Sequence, residues 1–198
     1  DYLWKEILTK NKLSRIIENY AQVVVEEDPD TKKKTVKQIF PRYHQLDVVE
    51  KLLADVKENG IGKRYLIQHS AGSGKSNSIS WLAHQLIELE QDGHPILDSV
   101  LVVTDRRILD KQIRDNIKQF MQVANTVAWA EHSGDLRDAI KDGKRIIITT
   151  IEKFPYVVPD IGAKHKNNKF AVIIDEAHSG QSGRNSAQMN LALSGLAS

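Results

Sequence analysis

The spacing of hydrophobic residues changes near residue 40 and divides the chain into two parts. In the first part, apolar residues recur at helical spacing over residues 3–20, and two extended runs follow at 21–27 and 32–40. Turn-forming residues at 28–31 separate these runs, so we expect a helix followed by a β-hairpin. Acidic and then basic residues surround the turn, which is typical of a solvated tip, with a DNA or partner contact as the alternative.

The second part alternates between helical and strand patterns. The predicted strands cover residues 65–68, 99–103, 126–130, 145–149 and 170–174, and the predicted helices cover 48–56, 75–90, 108–120 and 135–141. This alternation indicates an α/β fold with a mostly parallel sheet, whose ligands bind at the carboxyl ends of the strands. We therefore expect an N-terminal extension, residues 1–38, and one α/β lobe, residues 39–198.

A glycine-rich loop lies between the predicted strand 65–68 and the helix that follows it. Its sequence is His69-Ser70-Ala71-Gly72-Ser73-Gly74-Lys75-Ser76, with a histidine where the strict phosphate-loop pattern has glycine. Glycines allow successive N–H groups to point at phosphate oxygens, and the helix amino terminus favours negative charge. The loop predicts an ATP site made by residues 71–76, in which Lys75 reaches the β- and γ-phosphates and the Ser76 hydroxyl binds Mg²⁺. The predicted nucleotide-binding residues of the loop are Ala71, Gly72, Ser73, Gly74, Lys75 and Ser76.

Two carboxylates follow the last predicted strand directly. ATP hydrolysis requires one carboxylate to hold Mg²⁺ and another to orient or deprotonate water, so we assign Asp175 to the metal and Glu176 to the water. His178 is either a packed or capping histidine or, as its place after the acids favours, a link to a second lobe or to nucleic acid. Upstream, the Gln45 amide can pair with the adenine edge, although a solvated helix residue is the alternative.

Composition narrows the class of protein only slightly. With 40% hydrophobic and 27% charged residues among 198, the chain is typical of a globular domain, and no apolar run approaches the roughly 18 residues that a membrane span needs. The absence of cysteine excludes disulfides and thiolate metal sites and fits a cytoplasmic protein. A net charge of +2 does not by itself indicate DNA binding. Because no initiator methionine or targeting pattern is present, we expect an excised fragment.

The motifs together resemble superfamily 2 helicases and, among them, the motor (R) subunits of type I restriction enzymes. Residues 71–76, the Asp-Glu-Ala-His sequence that starts at Asp175, and Gln45 match the nucleotide motifs of that superfamily. Residues 103–112, 149–154 and 175–183 are similar to characteristic segments of the R subunits, with Glu152 and Gly180 as departures. The resemblance implies the first RecA-like lobe of such a motor, a three-layer P-loop NTPase domain that uses ATP and Mg²⁺.

The same resemblance implies that the motor translocates double-stranded DNA with methyltransferase and specificity subunits as partners. Thr104, Arg106, Thr149 and Thr150 would then contact DNA phosphates, although Thr149 could also simply end a strand. The sequence contains neither the family's Glu-x-Lys nuclease motif nor, after Ser198, a second lobe with an arginine finger. An isolated fragment of this kind is expected to be nearly inactive.

Three other functions stay open on the sequence alone. A different superfamily 2 helicase would share the nucleotide motifs and act on RNA or forked DNA. A small-molecule phosphotransferase also uses a phosphate loop but would need an acceptor site in the same lobe. A non-hydrolysing, ATP-gated interaction module would bind ATP without needing Glu176.

Overall fold

A computed structural model describes residues 3–27, 31–70, 72–104, 126–130, 132–150 and 168–175. In chain order, the elements are a π-helical turn Leu3–Ile7, helix α1 Lys10–Asn19, strands β1 Gln22–Glu27 and β2 Lys34–Ile39, helices α2 Tyr43–Asn59 and α3 Lys75–Ile87, strands β3 Glu90–Gln91, β4 His94–Pro95, β5 Ser99–Thr104 and β6 Val127–Trp129, helix α4 Ser133–Lys141, and strands β7 Ile146–Thr150 and β8 Phe170–Ile174. Within these ranges, no helix is both long enough and apolar enough to span a bilayer. The helix expected at 108–120 lies outside the described residues.

The central sheet is parallel, as the alternating pattern predicts. Its four strands lie in the order β6-β7-β5-β8, and every neighbouring pair runs in the same direction. Val103 of β5 aligns with Thr149 on one side and with Ile174 on the other. The carboxyl ends of β5, β7 and β8 therefore meet at one edge of the sheet.

Helices cover both faces of this sheet. Alternate residues of β5 point to opposite sides: Val100 and Val102 join a core with α2 and α3, whereas Leu101 and Val103 join a second core with α4. All four side chains are fully buried, which explains why this strand is a continuous apolar run instead of an alternating one. The result is a helix-sheet-helix arrangement of three layers, which confirms the predicted fold class.

Helix α1 packs directly against the helix that follows the glycine-rich loop. The rings of Tyr20 and Trp81 lie 5.6 Å apart between centroids, and Trp81 Nε1 donates a 3.0 Å hydrogen bond to the Tyr20 carbonyl oxygen. Ile16 belongs to the same core, and Lys12 pairs with Glu50 of α2 at 2.5 Å. Burial is the main cause that raises the pKa of Tyr20 to about 12. The N-terminal helix is thus built into the lobe's core, and the boundary at residue 38 stays a prediction.

Two antiparallel hairpins lie within the described residues, and the sequence predicted only one of them. The first, β1 with β2, is confirmed, with Val25 opposite Val36. The second, β3 with β4, turns through Asp92 and Gly93, both at positive φ. Asp-Gly is a strong hairpin signal. Helix α3 consequently ends at Ile87, earlier than the predicted end at residue 90.

The prediction of a strand at residues 65–68 is wrong. This segment has no strand assignment, and the side chain of Leu66 is 91% exposed. Tyr65 instead donates its hydroxyl to Asp55 at 2.5 Å, which ties the segment to the end of α2. A short apolar run is compatible with an extended segment as well as with a strand, and periodicity does not separate the two.

Candidate functional site

The glycine-rich loop makes a tight turn that delivers the chain into α3. The N–H of Ser73 donates to the Ser70 carbonyl oxygen at 3.2 Å, which closes the turn. Gly74 has φ 82°, a left-handed conformation that suits glycine, and its carbonyl oxygen accepts the N–H groups of Asn77 and Ser78 as α3 begins. The loop is therefore continuous with a helix amino terminus, the arrangement that favours an anion.

Gln45 connects helix α2 to this loop. Its side chain is only 3% exposed, and its Nε2 donates to the carbonyl oxygens of Ser73 and Gly74 at 3.2 and 2.9 Å. Its Oε1 accepts the backbone N–H of Arg42 at 2.8 Å and caps the helix. The structure thus brings Gln45 to the predicted site. To pair with adenine, its amide would have to exchange these bonds, and adenine recognition stays a prediction.

Two histidines, neither of them predicted from the sequence to have a role, flank the same loop residue. His44 Nε2 donates to the Ser73 carbonyl oxygen at 3.1 Å, and His69 Nδ1 lies 3.2 Å from the Ser73 hydroxyl oxygen. The two rings meet edge to face with 5.6 Å between centroids. Burial lowers the pKa of His69, and His44 and Lys75 lower it further. The sequence signal was His69 at the glycine position of the loop.

The predicted magnesium ligands lie on two different elements. Ser76 is in the first turn of α3, where its carbonyl oxygen accepts the Ser80 hydroxyl at 2.8 Å. Asp175 follows β8, is 6% exposed, and donates its N–H to the Val103 carbonyl oxygen at 2.9 Å. Among the described residues, no group of three or more His, Cys, Asp or Glu forms a protein cage for a metal. A hydroxyl and a carboxylate are the oxygen donors that suit Mg²⁺ shared with phosphates, so the donor chemistry fits.

Three of the predicted DNA-contacting residues lie at the carboxyl edge of the sheet but are buried. Thr104 ends β5, and Thr149 and Thr150 end β7, directly opposite Val103 and Thr104. The Thr104 hydroxyl donates to the Thr149 carbonyl oxygen at 3.5 Å. The Thr149 and Thr150 hydroxyls are buried without a hydrogen-bond partner in the portion of the chain that the structure describes. Their DNA contacts stay predictions.

Four predicted site residues lie outside the described residues. They are Ala71 of the loop, Glu176 and His178 of the acidic motif, and Arg106 after β5.

Fold and site together define the class of protein. A parallel α/β domain carries a glycine-rich loop at a helix amino terminus, and a buried aspartate follows a strand of the sheet. This is the construction of a P-loop nucleotide-binding domain.

The chain belongs to the SWI2/SNF2 ATPase family, whose sequence profile matches residues 44–197. It is therefore an ATPase domain of this family. None of the curated proteins matches the chain.

Among solved structures, the chain is similar to the UvsW helicase from bacteriophage T4. The TM-score is 0.60 at 16% sequence identity, over 98% of this chain and 59% of that helicase. At this identity the similarity shows the fold alone. The family match thus supports the predicted ATPase and the structural match supports its fold, while neither finding singles out type I restriction subunits.

Proposed function

We propose that this chain is the first motor lobe of a type I restriction R subunit, which uses ATP hydrolysis to translocate double-stranded DNA. The observation that carries the nucleotide part is the loop of residues 72–76, held by Gln45 at the start of α3. The restriction part rests on the sequence segments 103–112, 149–154 and 175–183. Under this proposal the lobe acts in the cytoplasm with methyltransferase and specificity subunits.

Each residue has a separate task in the proposed reaction. Lys75 neutralises charge on the β- and γ-phosphates, and Ser76 and Asp175 hold Mg²⁺. A cation held there would offset the charge of the phosphate oxygens. Glu176 orients the attacking water. His178 links the site to DNA or to the second lobe.

DNA binding in this proposal is independent of base sequence. Arg106, together with Thr104, Thr149 and Thr150, contacts backbone phosphates at the carboxyl edge of the sheet. Phosphate contacts carry no sequence information, as a translocating motor requires. Because the three threonines are buried in the structure, this interface requires the edge to open when DNA binds.

Triplex displacement with the full-length protein and its partner subunits tests the proposal. We expect ATP-dependent displacement of a third strand from duplex DNA, without unwinding of the duplex. Unwinding of forked DNA or RNA would instead indicate another superfamily 2 helicase. Phosphorylation of a metabolite would indicate a phosphotransferase.

Glu176→Gln tests whether hydrolysis matters. We expect this substitution to abolish turnover and displacement while MgATP binding persists. Normal function in the Glu176→Gln protein would instead identify a non-hydrolysing, ATP-gated module.

A further inference from the structure

Ser73, in the middle of the glycine-rich loop, is held from two sides by histidines. His44, in the first turn of α2, contacts its carbonyl oxygen, and His69, just before the loop, contacts its hydroxyl. Ser73 itself is buried, whereas His44 is an exposed residue. The histidines therefore meet the loop through polar contacts at opposite ends of one residue.

The hydrogen bonds to the Ser73 carbonyl oxygen determine the direction of the Gly74 N–H. A carbonyl oxygen can only accept, so His44 Nε2 carries the hydrogen of its bond, and Gln45 Nε2 donates to the same oxygen. In a planar trans peptide, the carbonyl oxygen and the following N–H point in opposite directions. With the Ser73 oxygen fixed toward α2, the N–H of Gly74 points away from α2. That orientation is one a phosphate loop has to set before its ligand arrives.

His69 acts on the hydroxyl side of the same residue. Its lowered pKa favours a neutral ring near Lys75, so that it contributes a hydrogen bond to the loop and no second positive charge. The edge-to-face contact between the two rings limits how far either can turn. Together the contacts restrict both the peptide plane and the side chain of Ser73.

We propose that His44 and His69 are positioning residues of the phosphate loop, which hold Ser73 so that the loop is preformed for the polyphosphate of the nucleotide. This inference rests on the proposed function, because it assumes that the loop binds ATP. It concerns the phosphates and not the base. The ligand class is therefore any magnesium polyphosphate, with or without a nucleoside.

The test compares disruptive and conservative substitutions in the full-length protein. His44→Phe and His69→Leu remove the polar contacts, whereas His44→Gln and His69→Asn retain a nitrogen near the original Nε2 or Nδ1. His94→Phe is the matched control, since His94 is an exposed histidine of β4. Calorimetry would measure the binding of MgATP and of magnesium tripolyphosphate, which lacks the base, and urea titration would measure stability.

We expect the two disruptive variants to bind both ligands about three- to tenfold more weakly, the loss that one hydrogen bond produces. His44→Gln, His69→Asn and His94→Phe should bind within about twofold of the wild type on the same reasoning. The urea midpoint of the His44 variants should fall only slightly, because His44 is an exposed residue and its one hydrogen bond to Ser73 contributes little to stability.

Several results would overturn the inference. Unchanged binding by both disruptive variants would show that the contacts do not position the loop. Weaker binding of MgATP alone would show that the histidines act on the base. If binding weakens together with the urea midpoint, and His44→Gln and His69→Asn do not restore it, the histidines are packing residues. Failure of the wild type to bind either ligand would instead overturn the proposed function.

Discussion

Replacing Gly74 with alanine tests the connection between α2 and the loop. A Cβ at this position would lie 2.5 Å from Gln45 Nε2, and the backbone has φ 82°. The substitution therefore strains the backbone and also pushes the Gln45 amide away from the carbonyl oxygens of Ser73 and Gly74. Gly143→Ala is the matched control, because Gly143 has φ 66° but open space around its Cβ position.

The two substitutions share one cost and differ in another. Holding alanine in the left-handed region costs about 1–2 kcal/mol at either site. Both substitutions also reduce the conformational entropy of the unfolded chain, which offsets about 0.4–1 kcal/mol of this cost. Only Gly74→Ala breaks the two bonds donated by Gln45, worth about 0.5–1.5 kcal/mol each. The free energy of unfolding should therefore fall further for Gly74→Ala than for Gly143→Ala, by about 1–3 kcal/mol on the same values.

Urea denaturation followed by circular dichroism measures this difference directly. A double-mutant cycle with Gln45→Ala isolates its cause, since without the Gln45 amide Gly74→Ala should cost no more than Gly143→Ala. An equal loss of stability in Gly74→Ala and Gly143→Ala would refute the connection between Gln45 and the loop. Strictly additive effects of Gly74→Ala and Gln45→Ala would refute it as well.

Three further predictions concern the motor and its core. The isolated chain of residues 1–198 should bind MgATP weakly and hydrolyse it very slowly, because the arginine finger of the proposed second lobe contributes about 10³–10⁵ in rate. Turnover near that of a complete motor would contradict a two-lobe site. Alanine at both Arg106 and Thr150 should leave ATP binding intact but weaken DNA-stimulated hydrolysis alike for all DNA sequences, with a shallower salt dependence; earlier melting with normal translocation would make them structural. Trp81→Ala should lower the free energy of unfolding by about 3–5 kcal/mol in urea titration, because the ring is fully buried against Tyr20. Trp4→Ala, at a 73% exposed position, should change it little. Similar effects of the two substitutions would contradict the packing of α1.

The strands of the sheet were predictable because their burial leaves a direct trace in the sequence. A strand covered on both faces is apolar along its centre, as residues 100–103 of β5 are. Phe170–Ile174 has a similar apolar run, although its residues are only partly buried. Residues 65–68 show a similar run yet stay exposed. Hydrophobicity indicates that a segment could be buried but not whether another element covers it.

For the candidate site, the sequence supports a prediction only where spacing along the chain carries the chemistry. Gly74, Lys75 and Ser76 follow one another in a recognisable order. His44 and His69 are far apart in sequence, and only the fold brings both to Ser73. The burial of Thr149 and Thr150 could not be anticipated either, because a threonine at a strand end suits solvent and core equally.

Nor did the sequence indicate how closely α1 joins the ATPase core. Its helical spacing predicted a helix that packs on something, but the partner is set by a contact between Tyr20 and Trp81 over a long sequence separation. The same contact places the N-terminal helix against α3, the helix that begins at Lys75.

The proposed ATP site depends on the glycine-rich loop of residues 71–76, where Lys75 meets the phosphates. DNA-stimulated ATP hydrolysis by the full-length protein tests it most directly, with Lys75→Ala compared with the wild type and with Lys141→Ala, which changes an exposed lysine of α4. We expect Lys75→Ala to reduce turnover to background with an unchanged circular dichroism spectrum, because the charge that meets the β- and γ-phosphates is lost while the fold is kept. We expect Lys141→Ala to behave like the wild type. Wild-type turnover by a folded Lys75→Ala protein would contradict the account.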